Sequence, residues 1–160
     1  MIETSPTATL AALRRALFAM LDLGLLGTGT ELLLIGHFED AWQWAPLALI
    51  AAGLLVLLWH GMGRGRASLR TLRVLSLLFV LAGFVGVVLH FQGNAEFERE
   101  MTPAIETGEL VRASMTGATP ALAPGTMILL GLLGLAYAFR HPALAGSADD
   151  SSTTATGPDS

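Results

Sequence analysis

The chain contains no cysteine and no lysine, and charged residues make up only 14% of its 160 residues. Without cysteine, the sequence excludes disulfides, iron–sulfur ligation, thiol catalysis and cysteine-ligated zinc. All nine basic residues are arginine, and they form no patch large enough for nucleic-acid binding, so no nucleic-acid partner is expected. The sequence also has no P-loop, zinc-protease helix or Ser/His/Asp set, which favours a protein that is not an enzyme.

Hydrophobic residues make up 52% of the chain and occur in blocks close to the roughly 20 residues that a bilayer-spanning helix needs. This pattern predicts an all-α fold: an integral membrane four-helix bundle made of two transmembrane hairpins. The predicted spans cover about residues 16–36, 45–60, 72–90 and 121–139, within a transmembrane domain of residues 16–142.

The polar segments complete this domain organisation. Residues 1–15 are expected to form a cytoplasmic N-terminal segment, and residues 143–160 a disordered cytoplasmic tail rich in Ser, Thr, Asp and Gly. Residues 91–119 form a long acidic outer loop in which Pro103 divides two short segments of possible helix. A cleaved signal peptide is the competing interpretation of the first apolar block, but Asp22 interrupts that block.

The arginines predict the orientation. Under a four-span topology, only Arg99 and Arg112 fall on the outer side. Cytoplasmic loops carry the excess of arginine, so both ends of the chain are expected to be cytoplasmic, in what we expect to be a bacterial inner (plasma) membrane. The same arginines are expected to contact lipid headgroups. The arginines on the cytoplasmic side are Arg14, Arg15, Arg64, Arg66, Arg70, Arg73 and Arg140.

Two acids, Asp22 and Glu31, interrupt the first span. An acid near the bilayer centre costs up to about 2.5–3.5 kcal/mol on insertion scales, so each acid needs a polar partner or a functional reason. At 100° per residue, the two carboxylates lie on nearly opposite sides of the helix and are not expected to form a pair. Glu31 shares its face with Gly24 and Gly27, and small residues of this kind let another helix approach closely.

Two interpretations of these acids remain open. In the first, Asp22 pairs with Arg15 or Arg73 while Glu31 holds helices together through a hydrogen bond. In the second, one or both acids form a proton or cation site along a polar pathway. The sequence favours the first interpretation.

Four histidines lie at the ends of the predicted spans. The outer pair, together with nearby acids, offers ligand types that Zn, Cu or Mn accept, or a pH-sensitive surface. A bis-histidine haem would pair His37 with His90 and His60 with His141, but positions at span boundaries would leave it only partly buried. No cofactor is therefore predicted. The candidate metal or pH-sensing residues are His37, Glu39, Asp40 and His90.

Three functional hypotheses follow. The leading one is a non-enzymatic subunit, assembly factor or interaction protein of the membrane, whose partners are lipids and either further copies of itself or other membrane proteins. The alternative is a small transporter, channel or proton-coupled carrier that uses Glu31 and Asp22. The third is a metal- or haem-binding membrane redox protein, which depends on the histidines.

Overall fold

The helices of this protein follow the apolar blocks of its sequence. In the computed structural model, residues 5–117 and 121–145 are described, and these contain helices and no strand. The all-α prediction is therefore confirmed for that part of the chain. Of the tail that we expected to be disordered, residues 143–145 are helical and the rest lies outside the described residues. The helices are α1 (Pro6–Leu34), α2 (Trp44–Gly63), α3 (Arg66–Met101), α4 (Thr107–Thr116), α5 (Gly125–Ala138) and α6 (Pro142–Ala145), with a short 3₁₀ turn at Ala41–Gln43.

Three helices are long and apolar enough to cross a membrane, namely α1, α2 with its preceding turn, and α3. Helix α5 is apolar but has only 14 residues, which span about 21 Å against a hydrocarbon core of about 30 Å. It begins later than the predicted fourth span because Pro124 disfavours the helical conformation of the residue before it. Three apolar helices agree with the expected membrane location.

Two helices extend beyond the apolar runs that predicted them. Helix α1 begins at Pro6, where the Ser5 hydroxyl accepts a hydrogen bond from the Ala8 amide and caps the first turn. Helix α3 continues through residues 91–101, since this stretch contains good helix formers and no proline. The first half of the expected outer loop is therefore a continuation of α3, and Pro103 separates it from α4.

Helices α1, α2, α3 and α5 pack side by side and antiparallel, each against two of the others. Gly53 of α2 lies under Leu25 of α1 and Phe79 of α3, where a Cβ atom would meet both side chains. Leu25 and Phe79 are almost completely buried, whereas Leu55 and Phe84 face outward and are mostly exposed. Buried small residues inside and large apolar side chains outside are the pattern expected of helices surrounded by lipid.

The antiparallel arrangement gives the molecule two chemically different ends. We call the end with Arg14, Arg64 and Arg140 the arginine end, and the end with Asp40 and Glu96 the acidic end. At the acidic end, α4 folds back against the continuation of α3. The Asn94 side-chain amide donates to the Ser114 carbonyl at 2.8 Å, and Leu110 is buried beside it.

The closest packing lies between α3 and α5. A Cβ atom added at Gly131 would lie 2.5 Å from the Ser76 carbonyl oxygen and 2.9 Å from the Val80 amide nitrogen. One added at Gly83 would lie 2.8 Å from the Ile128 amide nitrogen. These neighbours are backbone atoms that cannot rotate away, so the two helices can approach this closely only because glycine is present. The glycines at this interface are Gly83, Gly86, Gly131 and Gly134.

We expect Gly131→Ala to lower the free energy of unfolding by about 1–3 kcal/mol, because the added methyl overpacks the interface between α3 and α5. Gly61→Ala is the matched control, since a Cβ atom there would meet nothing within 4 Å. Thermal unfolding in mild detergent, followed by tryptophan fluorescence, measures the difference. Equal unfolding midpoints for the two variants would show that the interface tolerates a larger separation.

Candidate functional site

The interior of the arginine end contains a hydrogen-bonded group of three polar side chains, Tyr137, His60 and Ser68, which we call the His60 network. The His60 side chain is only 2% exposed, and its Nδ1 and Nε2 atoms lie 2.8 Å from Ser68 Oγ and 2.9 Å from Tyr137 Oη. The network joins the last turns of α2 and α5 to the first turn of α3. Both nitrogens of a buried imidazole are thus satisfied.

Local chain geometry brings these residues together. Helix α2 ends at Gly63, and Arg64 adopts a left-handed conformation with φ 43° while its amide donates to the His60 carbonyl. This tight link lets α3 begin at Arg66, so Ser68 lies directly beside His60 although the two belong to different helices.

The hydrogen bonds assign the protons of the network. The Ser68 hydroxyl donates to the Gly65 carbonyl at 2.9 Å, so its oxygen is left to accept from His60. A neutral His60 then carries its hydrogen on Nδ1, and its Nε2 lone pair accepts the hydroxyl hydrogen of Tyr137. One set of hydrogens therefore satisfies all three side chains, which fixes the tautomer of the imidazole.

Aromatic rings surround the network. The His141 ring lies 5.7 Å from the His60 ring and 5.4 Å from the Tyr137 ring, measured between centroids. Phe18 of α1 closes the other side, 5.5 Å from the Tyr137 ring. Four helices therefore meet at one polar centre.

His141 follows α5 and lies at the surface of this aromatic group. Burial lowers the pKa of His141 below its ordinary value, and the positive charges of Arg14 and Arg64 lower this pKa further. Its Nδ1 accepts a hydrogen bond from the Ala143 amide at 3.2 Å, which requires that nitrogen to be unprotonated. The geometry and the charges thus favour the same neutral form.

The sequence analysis considered His60 and His141 together only as haem ligands and missed the network itself. Tyr137 and Ser68 lie 77 and 8 residues from His60, and neither fits a ligand or catalytic motif. One available signal was that Tyr137 is the only tyrosine of the chain and lies in an apolar block, where a phenol needs a hydrogen-bond partner.

The intramembrane acids predicted from the sequence occupy different environments. Asp22 is partly buried at the edge of the packed face of α1, next to the buried Leu21. Glu31 is exposed, in a shallow groove on the outward face of the same helix. The structure therefore does not bring the two carboxylates together, in agreement with their spacing. The groove is lined by Leu23, Leu26, Gly27, Thr30, Glu31, Leu34 and Ile35.

The outer histidines also meet, with His37 and His90 ring centroids 6.4 Å apart. Asp40, by contrast, caps the 3₁₀ turn through the Trp42 amide, and the Glu39 amide donates to the Gln43 side chain. Among residues 5–117 and 121–145, no three His, Cys, Asp or Glu side chains form a group that could hold a metal ion. Metal binding by the outer residues stays a prediction.

A bis-histidine haem stays a hypothesis, and one histidine of its inner pair is already occupied. Both nitrogens of His60 are hydrogen-bonded to protein, so an iron ion would have to displace Ser68 or Tyr137. The inner histidines are thus better suited to holding helices together than to ligating a metal.

We expect Tyr137→Phe to lower the free energy of unfolding by about 1–3 kcal/mol, because it leaves the buried Nε2 of His60 without its donor. Thr71→Ala is the control, since that exposed hydroxyl on α3 donates only to the Ala67 carbonyl of its own helix. Thermal unfolding of both variants in the same detergent measures the difference. If the two variants lose equal stability, the hydrogen bond from Tyr137 to His60 contributes no more than an exposed hydroxyl group does.

The lowered pKa of His141 also predicts a pH dependence of stability. The unfolded chain binds the proton at the ordinary value of 6.5, whereas the folded protein binds it only at lower pH. Stability should therefore fall as the pH drops below about 6.5, down to the pKa of the folded form. Unfolding midpoints at pH 7.5 and 5.5 test this: His141→Gln should show a smaller decrease than the unaltered protein, and an equal decrease would assign the effect to other groups.

The chain thus presents three polar features: the His60 network, the exposed Glu31 and the arginines around His141. Comparison of the chain with protein-family models, curated proteins and solved structures finds no match in any of the three. The chemistry of these three features is therefore the basis for assigning a function.

Proposed function

We propose that this protein is a non-enzymatic membrane subunit that assembles with another membrane-spanning helix through the outward face of α1. One observation carries the proposal: the carboxyl group of Glu31 is exposed on a helix that is long and apolar enough to span a bilayer. A carboxyl group facing lipid is unfavourable, and a partner helix that donates a hydrogen bond would remove that cost.

The proposal includes four membrane crossings with both ends of the described chain on the cytoplasmic side. The Arg14 guanidinium donates to the Arg140 carbonyl at 3.0 Å, so the third turn of α1 lies beside the residues that follow α5. At the other end of α5, Pro124 lies close to Gly86, in the outer half of the apolar block of α3. Helix α5 thus runs along most of the apolar length of its neighbours, and seven of the nine arginines share one side.

The short α5 leaves the Glu31 level uncovered. Phe18 contacts Tyr137, and Gly24 contacts Leu130, so α1 and α5 run antiparallel in a constant register. Continued outward, this register brings Glu31 level with Pro124, one residue before α5 begins. Helix α5, which packs on Gly24, therefore does not extend far enough to cover Glu31.

The groove around Glu31 has the shape and composition of a helix-packing surface. Gly27 lies in its floor, with nothing within 4 Å of an added Cβ atom. Leu23 and Leu34, which are 69% and 81% exposed, flank it with large apolar side chains. A partner helix could approach closely at Gly27, bury both leucines and reach the Glu31 carboxyl group.

A carrier function is less well supported by the same residues. Glu31 and Asp22 lie on different sides of α1, and Glu31 lies in an exposed groove rather than in a cavity between the packed helices. A proton pathway through one copy of the chain would need the acids to face a common polar interior.

Site-specific cross-linking tests the proposal, because the chain has no native cysteine that would interfere. Gly27→Cys, labelled in native membranes with a maleimide that carries a photoreactive benzophenone, should form a cross-link to its partner on illumination, whether or not that partner contains cysteine. A homodimer identifies a second copy, and a heavier adduct of different mass identifies another membrane protein. Leu81→Cys, on the exposed face of α3, is the matched control and should remain monomeric.

Glu31→Gln separates assembly from transport. Under the proposal, this variant weakens the Gly27→Cys cross-link and shifts the purified protein toward the monomer. A monomer in mild detergent with no co-purified partner, together with an unreactive Gly27→Cys, would contradict the proposal. An undiminished cross-link with loss of a pH-dependent ion flux would instead favour a carrier.

A further inference from the structure

Three arginines meet around His141 at the arginine end. The Arg14 side chain reaches across from α1 to the carbonyl group of Arg140, 126 residues away in the chain. Arg64 comes from the link between α2 and α3, and its charge, like that of Arg14, acts on the imidazole of His141. Arg64, Arg14 and Arg140 therefore give this end three arginines from three separate segments, and the Arg140 guanidinium lies over the Phe139 ring, 5.6 Å from its centroid.

The described acids do not neutralise this charge. Asp22 is the nearest acid along α1, eight residues beyond Arg14, which corresponds to about 12 Å of helix. The remaining acids of residues 5–117 and 121–145 belong to the outer end of α1, the acidic end of α3 and the segments that follow them. Positive charges that lie close together repel each other, so a bound anion would lower the energy of the folded protein.

Two of these arginines occupy unusual backbone conformations. Arg64 and Arg140 have φ values of 43° and 45°, and they are the only described non-glycine residues with positive φ. Glycine adopts this left-handed conformation more easily, and glycines flank Arg64 on both sides. Strained positions of this kind are concentrated at ligand sites, where the side chain compensates for the cost of the backbone.

We propose that Arg14, Arg64 and Arg140 form a binding site for the phosphate group of an anionic phospholipid at the inner surface of the membrane. The guanidinium group is planar and donates two parallel hydrogen bonds to phosphate oxygens, which makes arginine the suited residue for this ligand. Phe139, 69% exposed beside Arg140, and Leu13, 55% exposed beside Arg14, offer apolar contacts for the acyl chains. The proposal depends on the membrane location but not on the α1 interface.

The other arginines on this side provide matched controls. Arg70 and Arg73 are exposed on a single helix, α3, and have the same charge as the site arginines. General attraction between an arginine-rich surface and an anionic membrane would depend on all of them about equally. A specific site depends on the three that converge from different segments.

The test is a lipid titration of the full chain purified in mild detergent, with thermal unfolding followed by the fluorescence of its three tryptophans. Phosphatidylglycerol should raise the unfolding midpoint, whereas phosphatidylcholine should not. Arg64→Gln and Arg140→Gln should each weaken the apparent affinity for phosphatidylglycerol about fivefold, the effect of one arginine–headgroup interaction. Arg70→Gln and Arg73→Gln should each change it by less than about twofold.

Lysine variants and a free-phosphate titration distinguish the lipid site from general charge effects. Arg64→Lys and Arg140→Lys retain the charge but lose the planar fork, and should give intermediate affinities while folding normally without lipid. Stabilisation by inorganic phosphate equal to that by phosphatidylglycerol would identify a free anion as the ligand and overturn the lipid assignment. Equal effects of the two lipids, or equal losses in the site and control variants, would overturn the site itself.

Discussion

The contact between α3 and α5 is the constraint on which the rest of this fold depends. Helix α5 has only 14 residues, and its position is set by close contacts with the backbone across the interface, at Gly83 of α3 and Gly131 of α5. Water contributes no driving force between apolar helices within lipid, so close van der Waals contact of this kind must supply much of the attraction. The same contact sets the height of α5, and thereby brings Tyr137 to the level of His60 and keeps the first turn of α5 below the level of Glu31.

The polar centre at the arginine end complements this apolar contact. Van der Waals contact between apolar helices specifies the distance between their axes well. It specifies the rotation of each helix about its own axis poorly, because many rotations bury similar apolar areas. The hydrogen bonds of His60 to Ser68 and Tyr137 are directional, and they fix the rotation of α2 against α3 and α5. We therefore regard the His60 network as the element that specifies one arrangement of these helices, and the glycine contact as the element that makes the arrangement tight.

Much of the fold, but less of the site, could be predicted from the sequence. Apolar blocks identify the long helices because hydrophobicity is a local property of the sequence. The length of α5 was overestimated because a hydropathy pattern does not register the effect of Pro124 on the residue before it. The His60 network escaped prediction since its members lie far apart in the chain, and only the packed helices bring them together.

Glu31 and His60 show how one chain handles polar groups in apolar surroundings in two different ways. His60 is satisfied within the chain, by partners that two other helices supply, and so it needs no ligand and no second protein. Glu31 has the same need for a hydrogen-bond partner but lies on the face that the other helices leave open. Because α5 begins below its level, none of the described helices covers it, and the proposed partner helix would supply the hydrogen-bond donor for its carboxyl group.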